Sequence, residues 1–178
     1  MSVRLKPKGK WVYYHVMTRT AQQFYWMKDR AVKKMFIALM KHLGEIFYVE
    51  ILAHAFLDNH YHIVLKIFCP EFDVADIQRR YELAAGKMAD PRPFREEMAE
   101  KLYARYTDLS AFMWYLNRGS AGMYNKMMGT KGHLWGARYK NVVVEEDKAL
   151  LATITYVEMN AVRAGIVALV KAATESTR

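Results

Sequence analysis

The stretch FYVEILAHAFLDNHYHIVLKIF, residues 47–68, decides how this chain folds. Phe47 to Phe56 is dense in branched and aromatic residues and reads as a strand. Leu57-Asp58-Asn59 supplies turn chemistry, and His60 to Phe68 reads as a second strand, so the segment predicts a β-hairpin. Successive side chains on a strand point to opposite faces, which sends Tyr61, Ile63, Leu65 and Ile67 one way and His60 and His62 the other. The apolar set belongs to a core, and the two imidazoles are left on the opposite, open face. Two imidazoles about 7 Å apart at their Cα atoms can converge on one divalent ion. Two ligands are too few for a closed structural site and leave positions open for water or a phosphate oxygen. The plain alternative is an exposed polar pair.

Outward from the hairpin, residues 11–19, WVYYHVMTR, read as another strand. Residues 28–44 place Val32, Met35, Phe36, Leu39, Met40 and Leu43 at helical spacing. Leu109, Phe112, Met113, Leu116, Met123 and Met127 form a second helical stripe. Gly119 and Gly122 inside it cost about 1 kcal/mol each relative to alanine and predict a bend near residue 120. Arg138 to Val144 reads as a strand, and residues 146–164 as a last helix with Gly165 as its C-cap. Residues 73–107 alternate acids and bases around two short helical patterns, broken by Asp90-Pro91-Arg92-Pro93, and read as a solvated helical insertion. The βαββαβ frame predicts an α+β, ferredoxin-like antiparallel sheet with helices on one face and the other face free for a ligand. Residues 1–178 are expected to form one domain carrying the insertion at about 70–107.

Composition narrows the partner. The 178 residues hold 27 Lys and Arg against 18 Asp and Glu, a net charge of +9. That excess points to a polyanion, nucleic acid ahead of an anionic membrane surface. The single cysteine, Cys69, excludes a disulfide framework and any multi-cysteine zinc or iron–sulfur site. No apolar run approaches the roughly 18 residues of a membrane span, and the basic N-terminus is followed by no apolar signal core, so a cytoplasmic setting is expected. The positive charge is concentrated: residues 1–28 hold Arg4, Lys6, Lys8, Lys10, Arg19 and Lys28 with no acid, and residues 109–144 hold Arg118, Lys126, Lys131, Arg138 and Lys140 with no acid. Both segments are interleaved with aromatics, among them Trp11, Tyr13, Tyr14, Trp114, Trp135 and Tyr139. Cations that follow phosphates beside rings that stack on bases suit unpaired nucleic acid.

Four ordered blocks carry a family resemblance. Asp58-Asn59-His60-Tyr61-His62 resembles the PNHxH of the HUH (His, hydrophobic, His) tyrosine transposases of the REP-associated branch. Tyr14-His15-Val16-Met17-Thr18-Arg19 is similar to their opening YHVTxR, and Gly132-His133-Leu134-Trp135-Gly136-Ala137-Arg138-Tyr139-Lys140 to their GxLWxxRYK. Tyr156-Val157-Glu158-Met159-Asn160-Ala161-Val162-Arg163-Ala164-Gly165 is similar to YVxxNPVRAG, with Ala161 in place of proline. The blocks follow family order across roughly residues 12–167 and leave out only the insertion.

The resemblance implies a transposase that cleaves and joins single-stranded DNA beside a hairpin. It implies a divalent metal, Mg or Mn, on His60 and His62, and a tyrosine that attacks phosphorus to give a 5′-phosphotyrosine and a free 3′-hydroxyl. Aligning the family segment YTRYFN on Asn125 puts the nucleophile position at Ser120, whose hydroxyl is shorter and far less acidic than a phenol. Tyr124, one turn on and on the same helical face, is the tyrosine expected to stand in. Asn125 is then the expected third metal ligand. DNA contacts are expected from Arg4, Lys6, Lys8, Lys10, Arg19, Lys126, Lys131, Trp135, Arg138, Tyr139 and Lys140. The serine also admits a catalytically silent protein that binds structured DNA, and, were Ser120 far from the histidines, an unrelated metal hydrolase. Monomer and homodimer are both open.

Overall fold

The branched and aromatic runs form a four-stranded antiparallel sheet in the computed structural model, which describes residues 11–86 and 90–163. Its strands are β1 (Trp11–Arg19), β2 (Val49–Phe56), β3 (His60–Phe68) and β4 (Lys140–Val144). They lie in the order β2-β3-β1-β4 with every neighbouring pair antiparallel. The hairpin closes where the Leu57 amide donates to the His60 carbonyl at 2.9 Å. A register shift in β2 between Ile51 and Ala53 inserts one residue, so the alternation changes phase. Beyond the shift, Phe56 faces the main core while Ala53 and Ala55 face the other side of the sheet.

One face is covered by α1 (Arg30–Ile46) and α4 (Leu109–Met128). Asp29 caps α1 by accepting from the Ala31 amide at 2.7 Å, and Val32, Phe36, Met40, Leu43 and Ile46 form its buried stripe. Helix α4 runs unbroken through residue 120. A Cβ on Gly119 would lie 3.0 Å from the Leu39 side chain, so this glycine lets α4 close onto α1. The helix ends normally, on Gly129 at φ 66°.

The insertion carries α2 (Val74–Ala85) and α3 (Ala99–Tyr106) and is more than a solvated appendage. Ile77, Leu102 and Tyr106 are buried in the main core, and Arg80 donates to the carbonyls of Glu45, Ile46 and Phe47 at the end of α1. Those carbonyls have no helical partner of their own, so the guanidinium caps them.

Helices on one face only was the expectation, and α5 (Asp147–Arg163) corrects it. Val157, flanked by Leu150 and Ile154, is buried against Ala53, Ala55 and Val64 on the second face. The two alanines present so little bulk that a helix can lie directly on the strands. Helix α5 covers β2 and β3; toward β1 and β4 the same face shows exposed Arg19, Lys140 and Val142. No helix among the described residues is long and apolar enough to cross a membrane.

Candidate active site

On β3, Tyr61, Ile63, Leu65 and Ile67 enter the main core, so His60 and His62 project from the face where α5 lies. Residues directly opposite on paired strands share a face. Arg19 therefore stands beside His60, and Met17 beside His62. His15, two residues before Met17 on β1, completes a row of three imidazoles. Its Nε2 and the Nδ1 of His62 are 2.9 Å apart, with the rings stacked at 5.1 Å between centroids. The His60 and His62 rings are 5.2 Å apart. Helix α5 adds a tyrosine to this row. Val157 is driven into the alanine floor, and the preceding residue, Tyr156, turns toward the histidines. Its ring meets His15 at 6.2 Å and His62 at 6.0 Å, edge-on to both. Tyr156 stays 48% exposed, beside an open groove of about 550 Å³ along α5 that Lys148, Thr155 and Met159 also line.

All three imidazoles are held neutral at pH 7. Burial, followed by repulsion from His15 and His60 as they protonate and from Arg19, pushes His62 down to about 4. Burial and then Arg19 lower His60, and burial lowers His15. A neutral imidazole offers a lone pair to a metal. The Asn59 Oδ1 sits 2.7 Å from the His60 Nδ1, which keeps the proton on Nδ1 and leaves Nε2 unprotonated. When the His62 Nδ1–H donates to His15, the His62 Nε2 is freed in the same way; such outer hydrogen bonds orient histidine ligands. This donor set fits one divalent ion with open positions. No three His, Cys, Asp or Glu side chains among the described residues are grouped to hold a metal, so His60 and His62 are the pair that would hold one.

The fold resembles that of a REP-associated tyrosine transposase. The similarity to that solved structure, which is bound to a REP hairpin, has a TM-score of 0.58 at 15% identity over 94% of this chain and 76% of the other. A protein from Deinococcus radiodurans R1 assigned as a transposase aligns at a TM-score of 0.44 and 14% identity, over 88% of this chain and 96% of the other. No protein-family model matches the chain, and no curated protein matches it in sequence.

Ser120, Tyr124 and Asn125 are not brought to the histidines. They lie on α4, across the sheet. Ser120 is fully buried, donating to the Asn117 carbonyl at 3.1 Å and lying 3.3 Å from the Trp135 indole nitrogen. Tyr124 packs edge-on to Trp26 at 5.2 Å. Asn125 is engaged by Gly132 and Thr130 in the turn after α4. The residue that joins the two layers is Tyr61, between the histidines in sequence: its hydroxyl donates to the Asn117 Oδ1 at 2.6 Å on the α4 side.

The expected DNA contacts divide between the faces. Arg19 and Lys140 are exposed on the histidine face, Lys140 standing opposite Met17 in the register. Arg138, Trp135 and Tyr139 line a cleft against α4, and Lys126 and Lys131 are exposed nearby. Arg4, Lys6, Lys8 and Lys10 lie outside the described residues, as does Gly165. Sequence reasoning passed over His15 and Tyr156, although both stand inside blocks singled out for their resemblance. The Leu150, Ile154 and Val157 stripe marks the buried side of α5 and places Tyr156 at its edge. Nothing in that stripe says which face of the sheet it covers.

Proposed function

We propose that this protein is a metal-dependent transposase-like enzyme that cleaves and rejoins single-stranded DNA beside a hairpin, with Tyr156 as nucleophile. We read its β-sheet frame as ferredoxin-like and its histidine pair as an HUH motif. The observation that carries the proposal is the tyrosine of α5 edge-on to His15 and His62 on the half-exposed face of the sheet. A silent DNA-binding protein rested on the serine at 120 and loses that ground if Tyr156 attacks; the distance of Ser120 from the histidines is the condition that admits an unrelated metal hydrolase, which a metal-dependent covalent adduct with DNA would exclude.

His60 and His62 would hold the divalent ion, Mg or Mn, which when bound polarises the scissile phosphate as a Lewis acid. His15 holds His62 in orientation, and Asn59 does the same for His60. Arg19 places a fixed positive charge beside His60, where the non-bridging phosphate oxygens gain negative charge as the reaction proceeds. The Tyr156 Oη forms a bond to phosphorus as the bond from phosphorus to the 3′-oxygen breaks, and the phenolic proton ends on the departing 3′-oxygen. One phosphodiester is exchanged for another without water, so the step runs backwards to rejoin a strand. The test is incubation of the protein with single-stranded DNA carrying a hairpin, with Mg²⁺ or Mn²⁺. A covalent adduct that EDTA prevents is expected. Failure of any hairpin-bearing substrate from a broad library to give an adduct would overturn the enzyme.

A further inference from the structure

We propose that the cleft between α4 and the loop of residues 132–139 is a nucleotide pocket, taking a base inside and its phosphate at the rim. Its volume is about 730 Å³, within the range of small-ligand sites. Met113 and Leu134, both buried, give it an apolar floor. Trp135 is a fixed wall, because its indole N–H donates to the Asn117 carbonyl at 2.9 Å. At the mouth Trp114 is 53% exposed, and the Arg118 guanidinium lies 5.1 Å from its ring. On the other side Arg138 lies 5.6 Å from the Tyr139 ring. Among the described residues no acid lines the cleft. Flat cation–ring pairs at the mouth of an apolar slot suit a planar base that stacks and a phosphate that meets a guanidinium.

Asn117 adds selectivity. The Tyr61 hydroxyl donates to its Oδ1, which fixes the amide and leaves the Nδ2 donors, bonded to no described residue, for the cleft that Asn117 lines. Those donors match an acceptor edge of a base, such as a carbonyl oxygen or ring nitrogen. Tyr61 thus anchors the pocket on one face while its neighbours His60 and His62 stand on the other. The chain entering the edge strand β4 joins the two faces: Arg138, in the loop before it, is at the rim, and Lys140, its first residue, is on the histidine face. A DNA strand seated in the pocket passes over this edge on its way to Tyr156. The strand as source of the nucleotide rests on the proposed function, whereas the pocket's chemistry would equally take a free nucleotide.

The test is fluorescence anisotropy of a short, labelled, mixed-sequence single strand, with AMP and dTMP as competitors. Trp114→Ala, an exposed site whose change leaves the fold intact, is expected to weaken strand binding about tenfold, and Arg118→Ala to weaken it and flatten its salt dependence. Asn117→Asp keeps the acceptor for Tyr61, replaces the donors, and is expected to change which bases are preferred. Strand binding by both Trp114→Ala and Arg118→Ala at wild-type strength would remove the pocket while leaving adduct formation at Tyr156 to stand. Binding of AMP that Trp114→Ala abolishes, with no strand bound by wild type, would keep the pocket and remove DNA as its ligand.

Discussion

Replacing Tyr156 by phenylalanine removes one oxygen and nothing else that holds the protein together. The ring stays, and with it the edge contacts at 6.2 and 6.0 Å to His15 and His62. Helix α5 is anchored by Val157, Leu150 and Ile154, which the change does not touch. The Tyr156 side chain is 48% exposed, so stability should move by no more than about 0.5 kcal/mol. At 2–4 °C per kcal/mol for a chain of this size, that is a Tm change of about 2 °C or less. Chemistry should respond on another scale, since the oxygen that bonds to phosphorus is gone: a loss on the order of 10³-fold or more is expected. The assay is single-turnover adduct formation on a strand labelled at its 3′ end, because the protein would be joined to the 5′ phosphate of the downstream piece. Wild type should carry the label through denaturing electrophoresis, and Tyr156→Phe should not. Tyr124→Phe, altered on the far side of the sheet, should keep wild-type yield. Label on Tyr156→Phe together with its loss from Tyr124→Phe would refute the assignment and move the nucleophile to α4.

Other consequences can be measured separately. His60→Ala and His62→Ala should each lose EDTA-sensitive adduct yet still bind hairpin DNA; adduct that persists in both would remove the imidazole pair from the chemistry. Gly136→Ala brings a Cβ to 3.0 Å from the Thr20 carbonyl oxygen and 3.2 Å from the Ala21 Cα, both backbone atoms that cannot rotate aside. It should cost about 1–3 kcal/mol in urea unfolding, and an unchanged midpoint would show that the loop shifts freely. Asp76 ties the insertion to Tyr48. Burial alone would raise its pKa, but hydrogen bonds from Arg80, Tyr48 and Arg79 outweigh it and hold the carboxyl down to about 2. Because that lies below the unfolded value of about 3.9, protonation favours the unfolded chain. The contribution, on the order of 1–2 kcal/mol, is complete above about pH 4 and is lost as pH falls toward 2. Asp76→Asn should therefore lower stability at pH 6 and converge on wild type near pH 2; a gap independent of pH would contradict the linkage.

The strands and helices were legible because their signals are local. Alternation in His60 to Phe68 fixed which side chains share a face, and the stripe from Val32 to Leu43 found α1 to within a few residues. Two kinds of information were not local. Whether Gly119 bends α4 or seats it against Leu39 depends on what stands opposite, and only packing supplies that. A helix shows its apolar stripe in sequence but not the surface that receives it. Ser120 and Tyr124 were attractive because their helix carried a matching segment, yet α4 belongs to the layer with α1. The small side chains of Ala53 and Ala55, brought to the second face by the register shift in β2, let α5 settle there. Sequence alone determined the antiparallel α+β sheet and that the two histidines share the face opposite the main core, both consequences of period-two alternation. Only the tertiary structure decided which tyrosine meets those histidines, because that depends on which layer a helix joins.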